Sequence, residues 1–193
     1  MTFPSSAGDE VTATRWGDGD CAAVFLHGVG YGREDWAPQA AAVAESGHTA
    51  LALALNHDDR ESNVEATVGA VDYLRSERGV ETVVLVGASA GANAVVKTDA
   101  NTDLDVAGSF ILAPGRAADL GGGLSGRKLF AVGEGDSQRF VETTEQLHND
   151  APEPKELVML DSTEHAQGVF QTDAGERLQS LIVEFVNTVC AEA

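Results

Sequence analysis

Six short apolar runs, separated by segments with helical patterns, constrain the fold more than any other feature of this sequence. Most of them lack polar alternation, as is typical of strands covered on both faces. Because parallel strands need crossover connections, the alternation predicts an α/β fold, with a mainly parallel sheet and helices on both faces. The runs are Ala22 to Leu26, Thr49 to Leu53, Thr82 to Val86, Ser109 to Leu112, Lys128 to Val132 and Glu156 to Leu160.

Helical patterns fill most of the segments between these runs. The clearest spans about Asn63 to Arg78, where Ser62 and Glu65 suggest a capping box and Gly79 stands where a C-terminal cap belongs. The last helix is predicted from a start signal at Asp173, followed by apolar residues at helical spacing. Further helices are predicted from about Trp36 to Ser46, after Ser89 and after Asp136.

Length and composition narrow the class of protein. A chain of 193 residues can bury one substantial core, so a single domain spanning 1–193 is expected. Neither a long apolar span nor a signal peptide is recognisable, which predicts a soluble, cytoplasmic protein. Cys21 and Cys190 are far apart and lack metal-ligand spacing, so they are interpreted as buried small hydrophobic residues, with neither a disulfide nor a metal site.

The charge balance is strongly acidic. The chain has 31 acidic and 12 basic residues, a net charge of -19, and the acids are spread along its whole length. Such a field repels nucleic acids and anionic membranes, so neither is expected as a partner. Lysine is scarce, at Lys97, Lys128 and Lys155 only, and this bias resembles proteins of salt-accumulating microbes. The alternative is an ordinary acidic protein kept soluble by its charge.

The sharpest chemical signal is Gly87-Ala88-Ser89-Ala90-Gly91, directly after the run Thr82 to Val86. This is the GxSxG pattern in the strand-turn-helix context that gives it meaning. A turn that lifts a serine above the sheet crowds the backbone on both sides, so only glycine fits at Gly87 and Gly91. The helix that follows directs backbone N–H groups towards a developing oxyanion. Ser89 is therefore predicted to be a nucleophile, against the alternative of a serine in a tight turn without catalytic function.

A second signal is the apolar run that ends in His27-Gly28-Val29. With this His-Gly turn and the GxSxG turn, the chain from about Val11 to Val189 resembles the α/β-hydrolase superfamily, in particular small esterases and dienelactone hydrolases. The resemblance implies an α/β-hydrolase fold with about six to seven strands and no separate lid domain. It also implies an oxyanion hole built from the backbone N–H groups of Val29 and Ala90, and a structural role for His27 and Gly28.

A serine nucleophile needs a base and an acid that orients the base. In the superfamily these follow in the order serine, acid, histidine. Asp136 lies in a turn after the run Lys128 to Val132, and His165 follows the run Glu156 to Leu160 just before the last helix. Since ligands bind beyond the carboxyl ends of parallel strands, Ser89, Asp136 and His165 are predicted to converge as a catalytic triad.

Other residues compete for two of these roles. Glu134 and Asp161 are the alternative acids, and Asp136 could simply cap a helix. Among the histidines, His48 precedes a strand and His148 lies near a helix end, so both are predicted at the surface. His57 follows the run Thr49 to Leu53, where it is a candidate substrate contact only.

These residues predict a cofactor-free, metal-free serine hydrolase acting on a small carboxylic ester. Gly28, Gly30 and Gly32 do not complete a dinucleotide-binding fingerprint, because Arg33 occupies the place of the third glycine. The segment Ala113 to Gly126 is too short for a lid, which predicts an open site for small or flexible acyl groups. The alternatives are a thioesterase, lactonase or acyltransferase with the same triad, or a ligand-binding protein without turnover. The sequence leaves the oligomeric state open.

Overall fold

The computed structural model describes residues 1–101 and 103–193, which form an eight-stranded sheet with helices on both faces. The strands are β1 (Thr2–Pro4), β2 (Glu10–Trp16), β3 (Cys21–Leu26), β4 (Thr49–Leu53), β5 (Thr82–Ala88), β6 (Gly108–Leu112), β7 (Arg127–Gly133) and β8 (Lys155–Leu160). The helices are α1 (Ala37–Glu45), α2 (Arg60–Arg78), α3 (Ala90–Asn101), α4 (Gln138–Asp150) and α5 (Gly175–Glu192), and 3-10 helices span Arg33–Trp36, Ala118–Gly123 and Ala166–Gln171.

The strand order is β1-β2-β4-β3-β5-β6-β7-β8. All six predicted strands are present, and β3 to β8 pair in parallel. The expected count of six to seven strands is wrong, because β1 and β2 add two antiparallel strands at one edge. In β2, buried Val11 and Ala13 alternate with more exposed neighbours, so this edge strand lacks the continuous apolar run of the others.

Two apolar layers cover the two faces of the sheet. Helices α2, α3 and α4 pack on one face, where they bury Val71, Val95 and Leu147 among others. Helices α1 and α5 pack on the other face through residues such as Val43 and Ile182. The sheet is therefore buried on both sides, as the continuous apolar runs predict, and its carboxyl edge stays free for a site.

Helix α2 begins earlier than its pattern predicts. The Asp59 side chain caps it by accepting hydrogen bonds from the N–H groups of Glu61 and Ser62. The predicted capping box of Ser62 and Glu65 is therefore wrong, since Ser62 already lies in the first turn. The C-terminal cap is confirmed, because Gly79 has a φ of 67°, in the left-handed region that favours glycine.

Cys21 and Cys190 form a disulfide, so their interpretation as unconnected hydrophobic residues is wrong. The bridge joins the start of β3 to the last turn of α5 across 169 residues of sequence. The pairing could not be predicted from this separation, because only the packing of α5 against the sheet brings the end of α5 close to β3. The His48 ring lies beside the bridge, and one of its ring nitrogens and the two Sγ atoms lie within 4.8 Å of one another.

Within the described ranges, no helix combines the length and the apolar character needed to cross a bilayer.

Candidate active site

Ser89 occupies a strained turn between β5 and α3. Its φ of 52° lies in the left-handed region, which a non-glycine residue rarely adopts. Its carbonyl accepts a hydrogen bond from the Asn93 N–H at 3.0 Å, the first bond of the helix that follows. The turn requires the two glycines, since a Cβ at Gly91 would overlap the Leu26 carbonyl and one at Gly87 would overlap the carbonyl of Gly91.

The side chains of Ser89, His165 and Asp136 form one hydrogen-bonded chain. His165 Nε2 lies 2.8 Å from Ser89 Oγ, and His165 Nδ1 lies 2.7 Å from Asp136 Oδ2. A neutral imidazole that donates from Nδ1 to the carboxylate leaves a lone pair on Nε2 for the serine proton. The structure thus brings together, beyond three strand ends, the three residues predicted to form a triad.

Burial differs along this chain of hydrogen bonds. The Asp136 side chain is 3% exposed, whereas that of His165 is 34% exposed. Asp136 Oδ1 also accepts a hydrogen bond from the Ser137 N–H at 2.6 Å, so both carboxylate oxygens are engaged. A fixed, buried carboxylate next to a solvent-accessible imidazole can orient the ring and stabilise its protonated form.

The Phe140 ring packs against the face of the His165 ring. The two ring centroids are 3.8 Å apart with an interplanar angle of 31°. On its own ring, Phe140 carries the guanidinium of Arg139 at 4.5 Å from the centroid. Neither residue was predicted from the sequence, although their position in the first turn of the helix after Asp136 was a usable signal.

The His-Gly turn after β3 is fixed by buried side chains. His27 is 3% exposed, and its Nε2 accepts a hydrogen bond from the Leu55 N–H. Its Nδ1 lies 3.2 Å from His57 Nε2, so the turn is tied to the loop after β4. The Gly28 N–H donates to Gln167 Oε1 at 2.8 Å, and Gln167 is 2% exposed. Gln167, which was not predicted from the sequence, therefore connects the His-Gly turn to the segment after His165.

Val29 and Ala90, whose amides are predicted to form an oxyanion hole, line the same cavity as Ser89. Among the described residues, neither N–H group is found in a hydrogen bond, so both remain available as donors. Their role in binding an oxyanion stays a prediction.

The competing residues lie elsewhere or in other roles. Glu134 and Asp161 are exposed, while Asp136 is the acid in contact with His165. His48 contacts Asn187 beside the disulfide, and His148 packs against Phe130. Both are half-buried rather than fully at the surface. His57 lines the cavity, as its position after β4 predicts.

A cavity of about 210 Å³ opens at Ser89. It is bordered by side chains from α2, α3 and α4 and by the segment after β6, where Gly115 and Arg116 lie. The lining residues are Val29, His57, Asn63, Ser89, Ala90, Asn93, Ala94, Lys97, Gly115, Arg116, Arg139 and Phe140.

A family model described as the alpha/beta hydrolase family matches residues 23–188, which include every residue of the hydrogen-bonded chain. The chain belongs to this family. No curated protein sequence matches it. Membership of the alpha/beta hydrolase family agrees with the resemblance carried by the His-Gly and GxSxG turns.

Solved structures agree with the alpha/beta hydrolase fold at low sequence identity. Est1E from Butyrivibrio proteoclasticus has a TM-score of 0.83 and 14% identity, covering 99% of this chain and 98% of its own. An esterase of Pyrococcus furiosus has a TM-score of 0.80 and 12% identity, with coverages of 97% and 89%. A dienelactone hydrolase from Anabaena variabilis has a TM-score of 0.82 and 18% identity, with coverages of 95% and 94%.

Proposed function

We propose that this protein is a serine hydrolase that cleaves a small carboxylic ester through Ser89, His165 and Asp136. The observation that carries the proposal is the continuous contact from Asp136 Oδ2 through the His165 ring to Ser89 Oγ, with distances of 2.7 and 2.8 Å. A serine hydroxyl is a weak nucleophile unless a base of this kind removes its proton.

In the first half of the proposed reaction, Ser89 Oγ attacks the ester carbonyl carbon while its proton passes to His165 Nε2. The carbonyl oxygen becomes an oxyanion, which the N–H groups of Val29 and Ala90 stabilise by hydrogen bonds. Asp136 stabilises the imidazolium that has formed. The bond to the alcohol oxygen then breaks, and His165 gives its proton to the departing alcohol. An acyl group remains on Ser89.

In the second half, water replaces the alcohol. His165 Nε2 removes a proton from the water, whose oxygen attacks the acyl carbonyl carbon. The second tetrahedral intermediate uses the same two amides. It collapses when the bond to Ser89 Oγ breaks and the serine regains its proton from His165, which releases the carboxylic acid.

Further support comes from the comparisons and from the size of the cavity. The structural neighbours include proteins named as esterases and as a dienelactone hydrolase, although at these identities they establish only the fold. A cavity of about 210 Å³ suits a short acyl group. We expect activity on 4-nitrophenyl acetate and butyrate and little preference for long-chain lipids, and interfacial activation would contradict the expectation.

The test of the proposal is covalent labelling of Ser89 together with ester turnover. Ser89→Ala should abolish both labelling by a fluorophosphonate probe and hydrolysis of 4-nitrophenyl acetate. The matched control is Ser76→Ala on the exposed surface of α2, which should retain both. A folded wild-type protein that neither labels nor hydrolyses esters, thioesters or lactones would instead indicate the ligand-binding alternative.

Thioester, lactone and acyl-transfer substrates need the same three side chains, so they are arms of the same experiment. Running short esters, thioesters and lactones against wild type and Ser89→Ala identifies the preferred bond. Faster turnover of a thioester or lactone than of every ester would keep the serine mechanism and replace the proposed substrate class.

A further inference from the structure

The cavity at Ser89 differs in charge from the rest of the protein. The whole chain has 31 acidic and 12 basic residues. Among the described residues that line the cavity, three are basic, namely Lys97, Arg116 and Arg139, and none is an aspartate or glutamate. A random sample of this sequence would give the opposite balance.

These three cations come from three separate elements. Lys97 lies on α3, two turns after Ser89, and Arg139 lies in the first turn of α4. Arg116 follows β6, in a segment held by Asn93, whose Oδ1 accepts hydrogen bonds from the N–H groups of Gly115 at 3.2 Å and Arg116 at 3.0 Å. The Arg139 guanidinium packs on Phe140. Basic residues from three elements therefore border one space, where Lys97 is half-buried and Arg116 and Arg139 are exposed.

The three cations lack the acidic partners that several other arginines have among the described residues. In residues 1–101 and 103–193, no ion pair is found for Lys97, Arg116 or Arg139. Four other arginines of this part of the chain do pair with carboxylates: Arg15, Arg33, Arg78 and Arg127. In such an acidic protein, a cavity bordered by three basic residues and, among the described residues, by no acidic one points to an external anion.

We infer that the substrate is an ester that itself carries a negatively charged oxygen group such as a carboxylate, bound by Lys97, Arg116 and Arg139. This inference rests on the proposed function and adds the charge of the substrate to it. A carboxylate accepts strong, charge-assisted hydrogen bonds from guanidinium and ammonium groups. The local positive charge also offsets the repulsion that a net charge of -19 would otherwise impose on an approaching anion.

The size of the cavity limits where this anion sits. Ser89 and the three cations line the same space of about 210 Å³. A carbonyl at Ser89 and an anionic group at the three cations can therefore belong to one small molecule. A half-ester of a short dicarboxylic acid and an ester of a hydroxybenzoic acid both fit this description, with the charge on the acyl side or on the leaving-group side.

The test compares pairs of esters that differ in charge. On the acyl side the pair is mono(4-nitrophenyl) adipate and 4-nitrophenyl hexanoate, and on the leaving-group side it is 4-acetoxybenzoate and its methyl ester. Each kcat/KM is divided by the rate of spontaneous hydrolysis at the same pH, which removes differences in intrinsic reactivity. We expect the anionic ester to be preferred by about tenfold or more in at least one pair.

Variants assign that preference to the three cations. Lys97→Gln, Arg116→Gln, Arg139→Gln and the triple variant should lower the ratio between anionic and neutral ester, the triple variant most. Because the ratio is measured within one preparation, a smaller folded fraction cancels. The control, Arg177→Gln, removes the same charge from an exposed position on α5 and should leave the ratio unchanged.

The outcomes separate the two proposals. Hydrolysis of neutral esters without an anionic preference, a preference that survives in the triple variant, or an equal loss in Arg177→Gln would overturn the inference and leave the serine hydrolase intact. Absence of ester turnover and of Ser89 labelling would remove the proposed function and this inference with it.

Discussion

At the scale of single residues, the choice of acid is decided by contact and burial. Asp136 reaches His165 Nδ1 at 2.7 Å from a side chain that is 3% exposed. Glu134, two residues earlier, is exposed. A buried carboxylate in direct contact can hold the tautomer in which Nε2 accepts a proton, whereas an exposed one makes no such contact.

Asp136→Asn should therefore lower the kcat of ester hydrolysis by roughly 10²–10⁴-fold with a small change in KM. The amide no longer stabilises the imidazolium and favours the wrong tautomer. Steady-state kinetics on 4-nitrophenyl acetate measure this effect, with Glu134→Gln as the control that should retain wild-type rates. Equal losses in the two variants would argue against a special role for Asp136.

Lys128 is a second residue whose surroundings decide its behaviour. It lies in β7, is 1% exposed, and donates from Nζ to the Gly126 carbonyl at 2.6 Å. Burial lowers the pKa of Lys128 below its ordinary value of 10.5, while the negative charges of Asp99 and Glu153 oppose that shift. The folded protein therefore loses this proton at a lower pH than the unfolded chain does.

This difference predicts how stability depends on pH. Between the lowered pKa of the folded state and 10.5, the unfolded chain binds more protons, so the contribution of Lys128 to the free energy of unfolding rises with pH. Lys128→Met removes the titrating group. Urea unfolding from pH 7 to 10 should show wild type gaining stability relative to Lys128→Met. A difference that is constant or falls over this range would contradict the prediction.

At the scale of the elements, the sequence predicts the strands and site residues that a local pattern of residues identifies. Most of the parallel strands β3 to β8 were predictable as apolar runs covered on both faces, although β8, at the other edge of the sheet, is only partly buried. Ser89, Asp136 and His165 were predictable because they follow such strands. Strands β1 and β2 were not predictable in this way, because β1 has only three residues and β2 alternates buried with more exposed residues. The basic lining of the cavity was not predictable, since its members lie on elements that meet only in the folded chain.

The disulfide is another contact between elements that local patterns could not predict. It links the start of β3 to the end of α5. The bridge therefore lies at the amino-terminal end of the parallel strands, whereas Ser89 lies beyond their carboxyl-terminal end. A crosslink that closes a loop of this length restricts the unfolded chain, which typically stabilises the folded state by roughly 2–5 kcal/mol.

We expect Cys21→Ala/Cys190→Ala to lose about that much free energy of unfolding in denaturant titrations. Ester turnover should be unchanged at temperatures where the variant is folded. Reductant should destabilise wild type to the level of the variant and should leave the variant unaffected. Wild-type stability that is the same with and without reductant would show that the bridge does not form or does not stabilise the protein.

At the scale of the whole molecule, the strongly acidic protein and its basic cavity have opposite charges. A net charge of -19 disfavours the compact state through self-repulsion. Salt screens this repulsion, since the Debye length falls from about 10 Å at 0.1 M to about 3 Å at 1 M. The same screening weakens the attraction between the cavity and an anion, so stability and affinity for an anionic ester should respond to salt in opposite directions.

Thermal unfolding of the oxidised protein should therefore shift upwards as KCl is raised from 0.1 to about 1 M. For a chain of this length, each 1 kcal/mol of added stability raises Tm by about 2–4 °C. Sucrose is the control, because it strengthens burial without screening charge. A Tm that rises with sucrose but is indifferent to KCl would show that self-repulsion does not limit stability. The acidic composition would then serve to keep the protein soluble. The compositional resemblance to proteins of salt-accumulating microbes would not reflect a need for salt.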